Sequence, residues 1–284
     1  MVALVATVDS PSRWPEAELS PRGQTWLFDL RSRAFENDDE DAASPAAAVH
    51  VPPQFDAGRG PAVILYFHGW NGCVRVALGD QDAPCVEDGP DRPASSLAAQ
   101  LDASGVNAML VAIELRPEVA SGSPGHLAEP GRVRALLQEI FVEHLALPLG
   151  RTLDVDALGP TMVVAHSGGY QAAAATLAVG GLRVDDVVLL DALYGADDVF
   201  ASAARAGVRL LDLYTCCGGT DGHSRALAAA LAATHRDVAL DDGDGELDPT
   251  TLTHTVFFKR VPAAHALLPQ LYARVVFERR LREP

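Results

Sequence analysis

Short apolar stretches alternate with amphipathic, alanine-rich stretches along most of the chain. The apolar stretches are rich in Val, Leu, Ile and Phe, a pattern typical of strands buried on both faces of a sheet. They lie at residues 25–31, 46–51, 61–69, 106–115, 161–167, 184–194, 208–215 and 255–261. Helical patterns lie at 94–104, 132–145, 170–180, 196–206, 224–235 and 267–281. We therefore predict an α/β fold, a doubly wound and mainly parallel sheet of about eight strands with helices on both faces.

This alternation continues without an internal repeat or an interdomain linker. A chain of 284 residues with 48% hydrophobic content can bury one large core. We predict a single α/β domain over residues 1–284, with residues 1–24 as a peripheral N-terminal segment. The N-terminal sequence lacks a basic region and its apolar run is short and broken, so we expect no signal peptide and a cytoplasmic location.

The charge balance narrows the range of partners. The chain has 38 acidic and 22 basic residues, which gives a net charge of −16. A surface of this kind cannot neutralise many phosphates, so we expect neither nucleic acid nor membrane as a partner. A small-molecule or peptide-like substrate fits better, and the sequence carries no signal for an oligomeric state.

The cysteines and the clustered acidic residues do not suggest a metal site. The four cysteines lack the CxxC pairs of a zinc site, and we expect free thiols, with a Cys73–Cys85 disulfide as the alternative. Acidic residues are frequent in the loop 71–93, but their spacing fits no EF-hand, so we expect a solvated loop and no bound metal. These residues are Asp80, Asp82, Glu87, Asp88 and Asp91.

The stretch VVAHSGGYQ, residues 163–171, carries the clearest chemical signal. A serine that projects from a tight turn between a strand and a helix needs small residues two positions before and after it. Ala165 and Gly169 occupy those positions around Ser167. The turn also directs the backbone N–H of Gly168 toward an incoming carbonyl oxygen, which is half of an oxyanion hole.

Further polar residues follow the ends of other predicted strands, where α/β sheets bind their ligands. The strand at 61–69 leads into Trp70 and Asn71, and Trp70 can supply a second oxyanion N–H. Gly69 and Asn71 are expected to border the substrate. Asp191 lies at the end of another strand, and His265 lies between the last strand and the last helix. His166 and His68 are expected to have structural roles.

At these residues the sequence resembles the α/β-hydrolase superfamily. The motif AHSGG at 165–169 is similar to the family's G-x-S-x-G, with Ala165 in place of the first glycine, and YFHGWNG at 66–72 resembles its oxyanion segment. The order of Ser167, an acid and His265 also matches the family, over about residues 25–281. The resemblance implies a serine hydrolase with a catalytic triad and no cofactor.

Two assignments in the triad have competitors. Asp191 ends a buried strand, whereas Asp221 follows the strand after which the family more often places its acid, so Asp221 remains the alternative acid. His223 is the main competitor of His265 as the base. Asp221 lies several residues beyond the end of its strand, in a glycine-rich loop.

The expected reaction is cleavage of an ester or amide bond in a small or moderately polar substrate through an acyl-enzyme intermediate. The alternatives are an amidase or peptidase, or a catalytically silent binding module of the same fold. Long loops at 71–93 and 116–131 are expected to shape specificity. The step from Asp191 to the helix at 196 is too short for a helical lid, which predicts an open site.

Overall fold

A computed structural model of the chain describes residues 23–35, 45–86, 88–116, 123–234 and 237–281. Within these ranges, nine strands form one sheet in the order β1-β2-β4-β3-β5-β6-β7-β9-β8. The strands are β1 (Gln24–Phe28), β2 (Ala47–Val51), β3 (Ala62–Phe67), β4 (Ala108–Ile113), β5 (Thr161–His166), β6 (Asp186–Leu190), β7 (Arg209–Tyr214), β8 (Val238–Asp241) and β9 (Val256–Arg260). The helices are α1 (Val74–Leu78), α2 (Leu97–Ser104), α3 (Arg132–Glu139), α4 (Tyr170–Val179), α5 (Asp197–Arg205), α6 (Asp221–Ala232) and α7 (Leu268–Arg280).

Strands β3 to β9 are parallel to one another, whereas β1 and β2 pair antiparallel at one side of the sheet. The register brings the last residues of neighbouring strands level. Phe67 of β3 pairs with both Ile113 of β4 and Ala165 of β5, and His166 pairs with Leu190 of β6. The residues that follow these strands therefore meet at one edge of the sheet, which we call the carboxyl edge.

Alternate side chains of the strands build two cores. Val63 and Leu65 of β3 lie on the face covered by α3, α4, α5 and α6. Ile64 and Tyr66 lie on the other face, with α1, α2 and α7. Both faces of the sheet are thus buried, which is why the strands read as continuous apolar stretches.

All eight predicted strands and all six predicted helices are present. Two elements were not predicted, the edge strand β8 and the short helix α1, which lies inside the expected loop 71–93. Residues 1–22 of the predicted N-terminal segment lie outside the described residues, and Gln24 already begins β1. Of the helices that the structure describes, none combines the length and the apolar character needed to cross a membrane.

The expectation of free thiols is wrong. Cys73 and Cys85 form a disulfide, with an S–S distance of 2.09 Å and Cα atoms 5.5 Å apart. Cys73 directly precedes α1, and the chain beyond this helix turns back to bring Cys85 beside it. The structure also pairs the adjacent Cys216 and Cys217, which leaves no free cysteine.

Candidate active site

Ser167 stands at the turn between β5 and α4. It follows the last residue of β5 directly, has a φ of +53°, and opens a 3-10 turn, Ser167–Gly169, that leads into α4. A positive φ is uncommon for serine, so the surrounding structure must hold the residue in this conformation. A Cβ at Gly169 would lie 2.4 Å from the carbonyl oxygen of Phe67. Glycine is therefore required where the turn packs on the end of β3.

A buried carboxylate and a histidine meet at the same edge. Asp191 follows β6, is fully buried and has a φ of +48°. His265 lies just before α7, and its Nδ1 is 2.7 Å from Oδ2 of Asp191. An Nδ1–H that donates to the carboxylate leaves the lone pair of the imidazole on Nε2. The His265 side chain is 34% exposed, so a reactant can approach that nitrogen.

The chain that follows β7 wraps around the Asp191 carboxylate. Thr215 donates to it from its backbone nitrogen at 3.1 Å and from its hydroxyl at 2.7 Å, and the Thr220 hydroxyl donates as well. A Cβ at Gly218 would lie 2.0 Å from Oδ2 of Asp191. Burial opposes ionisation, but the hydrogen bonds from His265, Thr220 and Thr215 outweigh it and lower the pKa of Asp191. The carboxylate therefore stays charged at neutral pH.

His166 holds the backbone that carries His265. Its Nε2–H donates to the carbonyl oxygen of His265 at 3.0 Å, and the two ring centroids are 4.9 Å apart. Burial, helped by the neighbouring His265, lowers the pKa of His166 to about 4. His166 is therefore neutral at neutral pH and keeps this hydrogen bond, consistent with the structural role expected from the sequence.

Tyr194 lies beside His265 and contacts the loop after β7. Its hydroxyl donates to the carbonyl oxygen of Gly218 at 2.6 Å. Its ring meets the His265 ring edge-on, with centroids 6.4 Å apart. Burial and the charge of Asp191 raise the pKa of Tyr194 to about 12.

The backbone after β3 lies directly against Ser167. A Cβ on Gly69 would lie 2.4 Å from the Cβ and 3.0 Å from the Oγ of Ser167. Gly168 is buried in the 3-10 turn, Asn71 has a φ of +57°, and the Trp70 side chain is 56% exposed. The structure thus brings the predicted oxyanion segments together. Oxyanion binding by Gly168 and Trp70, and substrate contact by Gly69 and Asn71, stay predictions.

The competing acid and base have other partners. Asp221 is the first residue of α6, and its carboxylate accepts from the Arg225 guanidinium at 3.1 Å. His223 pairs with Asp197, with Nδ1 and a carboxylate oxygen 3.0 Å apart. Of the two candidate acids, Asp191 is the one that contacts His265.

Several residues around the site were not singled out from the sequence. Thr215, Thr220 and Gly218 hold the acid, and the ring of Tyr194 lies beside the ring of His265. All four follow the ends of β6 or β7, and this position was the available signal. Thr and Gly in such loops are common turn residues, so sequence alone does not separate these roles.

The two long loops are described only in part, since Glu87 and residues 117–122 lie outside the described ranges. Asp82 accepts a hydrogen bond from the backbone nitrogen of Ala94 at 2.8 Å and so shapes the loop itself. Among the residues that the structure covers, no group of three or more His, Cys, Asp or Glu side chains is arranged to hold a metal ion.

Comparison with known proteins gives a likeness in structure and none in sequence. No protein-family model and no curated protein matches the chain. A feruloyl esterase module from Clostridium thermocellum, solved with sinapinate, is 11% identical, with a TM-score of 0.54 over 93% of this chain and 88% of that chain. A structure named as FAE is 12% identical, with a TM-score of 0.52 over 94% of this chain and 92% of that chain. These likenesses and the sheet topology confirm the predicted α/β-hydrolase-like fold.

Proposed function

We propose that this chain, which has the α/β-hydrolase fold, is a serine hydrolase that cleaves carboxylic esters. One observation carries the proposal: the buried Asp191 carboxylate binds Nδ1 of His265 at 2.7 Å, at the edge of the sheet where Ser167 stands with a positive φ. A nucleophile, a base and a residue that orients the base are the parts that acyl transfer requires.

The steps follow from this geometry. Asp191 holds the Nδ1–H of His265, so Nε2 is free to take the proton of the Ser167 hydroxyl. The Ser167 oxygen attacks the ester carbonyl carbon, and the carbonyl oxygen becomes an oxyanion held by the N–H groups of Gly168 and Trp70. His265 then gives the proton to the leaving alkoxide, and an acyl-enzyme forms. Water, activated by His265, releases the acid and restores the Ser167 hydroxyl.

The environment of Asp191 supports this role. Its pKa is lowered by hydrogen bonds despite burial, so it is a carboxylate when His265 becomes an imidazolium. A negative charge beside that imidazolium stabilises it during proton transfer.

The preference for esters over amides draws on the comparison. The similar structure from Clostridium thermocellum is described as a feruloyl esterase, which supports an ester substrate for this chain. An alkoxide also leaves more readily than an amine anion, so ester cleavage makes a smaller demand on His265 as the acid. We therefore expect an activated ester to be a better substrate than the corresponding anilide.

The test is labelling with a fluorophosphonate, together with hydrolysis of p-nitrophenyl acetate and p-nitroacetanilide. We expect one label on Ser167, and its loss with turnover in Ser167→Ala. The matched control is Ser202→Ala, at an exposed serine of α5. Unchanged labelling of Ser167→Ala, or faster cleavage of the anilide than of the ester, would contradict the proposal.

A further inference from the structure

A buried histidine and a buried carboxylate lie side by side next to the serine turn. His68 follows β3 and Glu114 follows β4, and these strands are neighbours in the sheet. Nε2 of His68 lies 3.0 Å from Oε1 of Glu114 and 2.9 Å from the backbone nitrogen of Leu115. The side chains are only 3% and 9% exposed. Neither residue takes part in the steps proposed above.

His68 and Glu114 form hydrogen bonds with the backbone at the two ends of the segment 69–73. Nδ1 of His68 donates to the carbonyl oxygen of Gly69 at 2.9 Å. The other oxygen of the carboxylate, Oε2 of Glu114, accepts from the backbone nitrogen of Val74 at 3.0 Å. Oε1 of Glu114 faces Nε2 of His68 without a hydrogen bond, because Nε2 accepts from the backbone N–H of Leu115, so each of the two residues holds one end of the segment.

The segment between these two anchors is a tight turn. The backbone nitrogen of Gly72 donates to the same Gly69 carbonyl at 3.0 Å, and Asn71 has the positive φ that such turns require at their third position. A Cβ on Gly72 would lie 3.1 Å from Nδ1 of His68, so the turn packs against the imidazole. The Gly69 carbonyl therefore has two donors that fix its direction.

The direction of this carbonyl fixes the direction of the next N–H. The described residues contain no cis peptide bond, and in a trans peptide the C=O of Gly69 and the N–H of Trp70 point to opposite sides. The carbonyl points toward His68, so the Trp70 N–H points away from the buried pair. The α-carbon of Gly69 packs on Ser167, which places this peptide beside the nucleophile.

We propose that His68 and Glu114 are positioning residues, which hold the Gly69–Trp70 peptide so that the Trp70 N–H faces the oxyanion formed at Ser167. This inference rests on the proposed serine hydrolase function. Oε1 of Glu114 is buried without a hydrogen-bond partner, which costs stability. Stability therefore does not account for this arrangement, whereas holding the oxyanion segment does.

The test compares three variants. His68→Leu removes the donor to the Gly69 carbonyl, whereas His68→Asn can keep a donor at the position of Nδ1. The matched control is His50→Leu. His50 is also fully buried, its Nε2 lies 2.8 Å from Asp102, and it sits on β2, which β4 separates from β3. The readouts are kcat and KM for p-nitrophenyl acetate, and the inhibition constant of a trifluoromethyl ketone that forms a tetrahedral adduct with serine.

For His68→Leu, we expect kcat to fall by about 10- to 100-fold with little change in KM, because a misdirected donor fails mainly in the transition state. The trifluoromethyl ketone should bind more weakly by a similar factor. His68→Asn should recover most of both losses. His50→Leu should lower the unfolding midpoint while kcat stays within about threefold. Equal kcat in His68→Leu and wild type, or no recovery in His68→Asn, would overturn the inference.

Hydrogen exchange over residues 69–74 separates this inference from the proposed function. We expect faster exchange there in His68→Leu than in wild type or His50→Leu, whether or not the chain hydrolyses the ester. Unchanged exchange would overturn the inference alone. An unlabelled Ser167 in the wild type would overturn the proposed function, and with it the catalytic role of the pair.

Discussion

Replacing Asp191 by asparagine tests the proposed triad most sharply. The carboxylate accepts four hydrogen bonds, from His265 and the Thr215 hydroxyl on Oδ2, and from the Thr215 backbone nitrogen and the Thr220 hydroxyl on Oδ1. An asparagine side chain has only one acceptor oxygen. Its NH2 group must therefore face one of these two pairs of donors.

The hydrogen-bond partners of residue 191 determine the orientation of the asparagine amide. The backbone N–H of Thr215 cannot become an acceptor, so the amide oxygen is expected at the position of Oδ1. The NH2 group then faces His265, whose Nδ1 must accept, and the imidazole proton moves to Nε2. A protonated Nε2 cannot take the Ser167 proton. We expect kcat to fall by about three to four orders of magnitude, which corresponds to ~4–5.5 kcal/mol.

The fold should tolerate this change, since the buried side chain keeps most of its hydrogen bonds. We expect the free energy of unfolding to fall by about 1–2 kcal/mol. The assay is kcat and KM on p-nitrophenyl acetate beside a urea unfolding curve. Asp221→Asn is the matched control, and its kcat should stay within about threefold of wild type because Asp221 pairs with Arg225. The reasoning fails if Asp191→Asn keeps a tenth or more of the wild-type turnover, or if Asp221→Asn is the variant that loses it.

Two further predictions concern stability. The Cys73–Cys85 disulfide spans a sequence separation of 12 residues. Replacing both cysteines by serine should therefore lower the free energy of unfolding by about 3 kcal/mol. An unchanged midpoint of urea unfolding would contradict the presence of this bond. Burial raises the pKa of Asp212 to about 7, so the folded state keeps a proton that the unfolded chain has released, and the contribution of Asp212 to wild-type stability should be lost as pH rises from about 4 to about 7. Relative to wild type, Asp212→Asn should therefore be more stable at about pH 8 than at about pH 5, by about 2–3 kcal/mol, and equal differences at both pH values would contradict this.

The disulfide also bears on the expected cytoplasmic location. Disulfides persist mainly in oxidising compartments, so the Cys73–Cys85 bond counts against that expectation. Cysteine spacing did not reveal the pairing, because it depends on how the chain beyond α1 turns back.

Elements with a strong hydrophobic period were predictable. Strands β3 to β7 and β9 are buried on both faces, so each stands out as an apolar run bounded by polar or glycine residues. The two missed elements lack that signal. β8 has four residues, none of them buried, and α1 has five residues within a loop rich in Gly and Asp. Such short elements form because their neighbours pack against them.

The position of Ser167 was predictable for a local reason. A strand, a small-residue turn and a helix follow one another within the stretch 161–179, and the requirement for glycine at 169 arises from that turn. The identity of the acid was not predictable from local sequence, because Asp191 and Asp221 both follow sheet strands. The packing of the loop after β7 surrounds Asp191 with donors and leaves Asp221 beside Arg225, and this contact pattern is what favours Asp191 in the proposed triad.

The sequence by itself determined the order of strands and helices, the doubly wound fold and the residues that reach the carboxyl edge. These depend on periodicity and turn chemistry within short segments, where each residue acts through its near neighbours. Only the tertiary structure decided that His265 meets Asp191, 74 positions away, that Glu114 lies beside His68 at the ends of neighbouring strands, and that Cys73 bonds Cys85. Those contacts join segments that are distant in the chain, so they exist only once the sheet register and the packing of its loops are set.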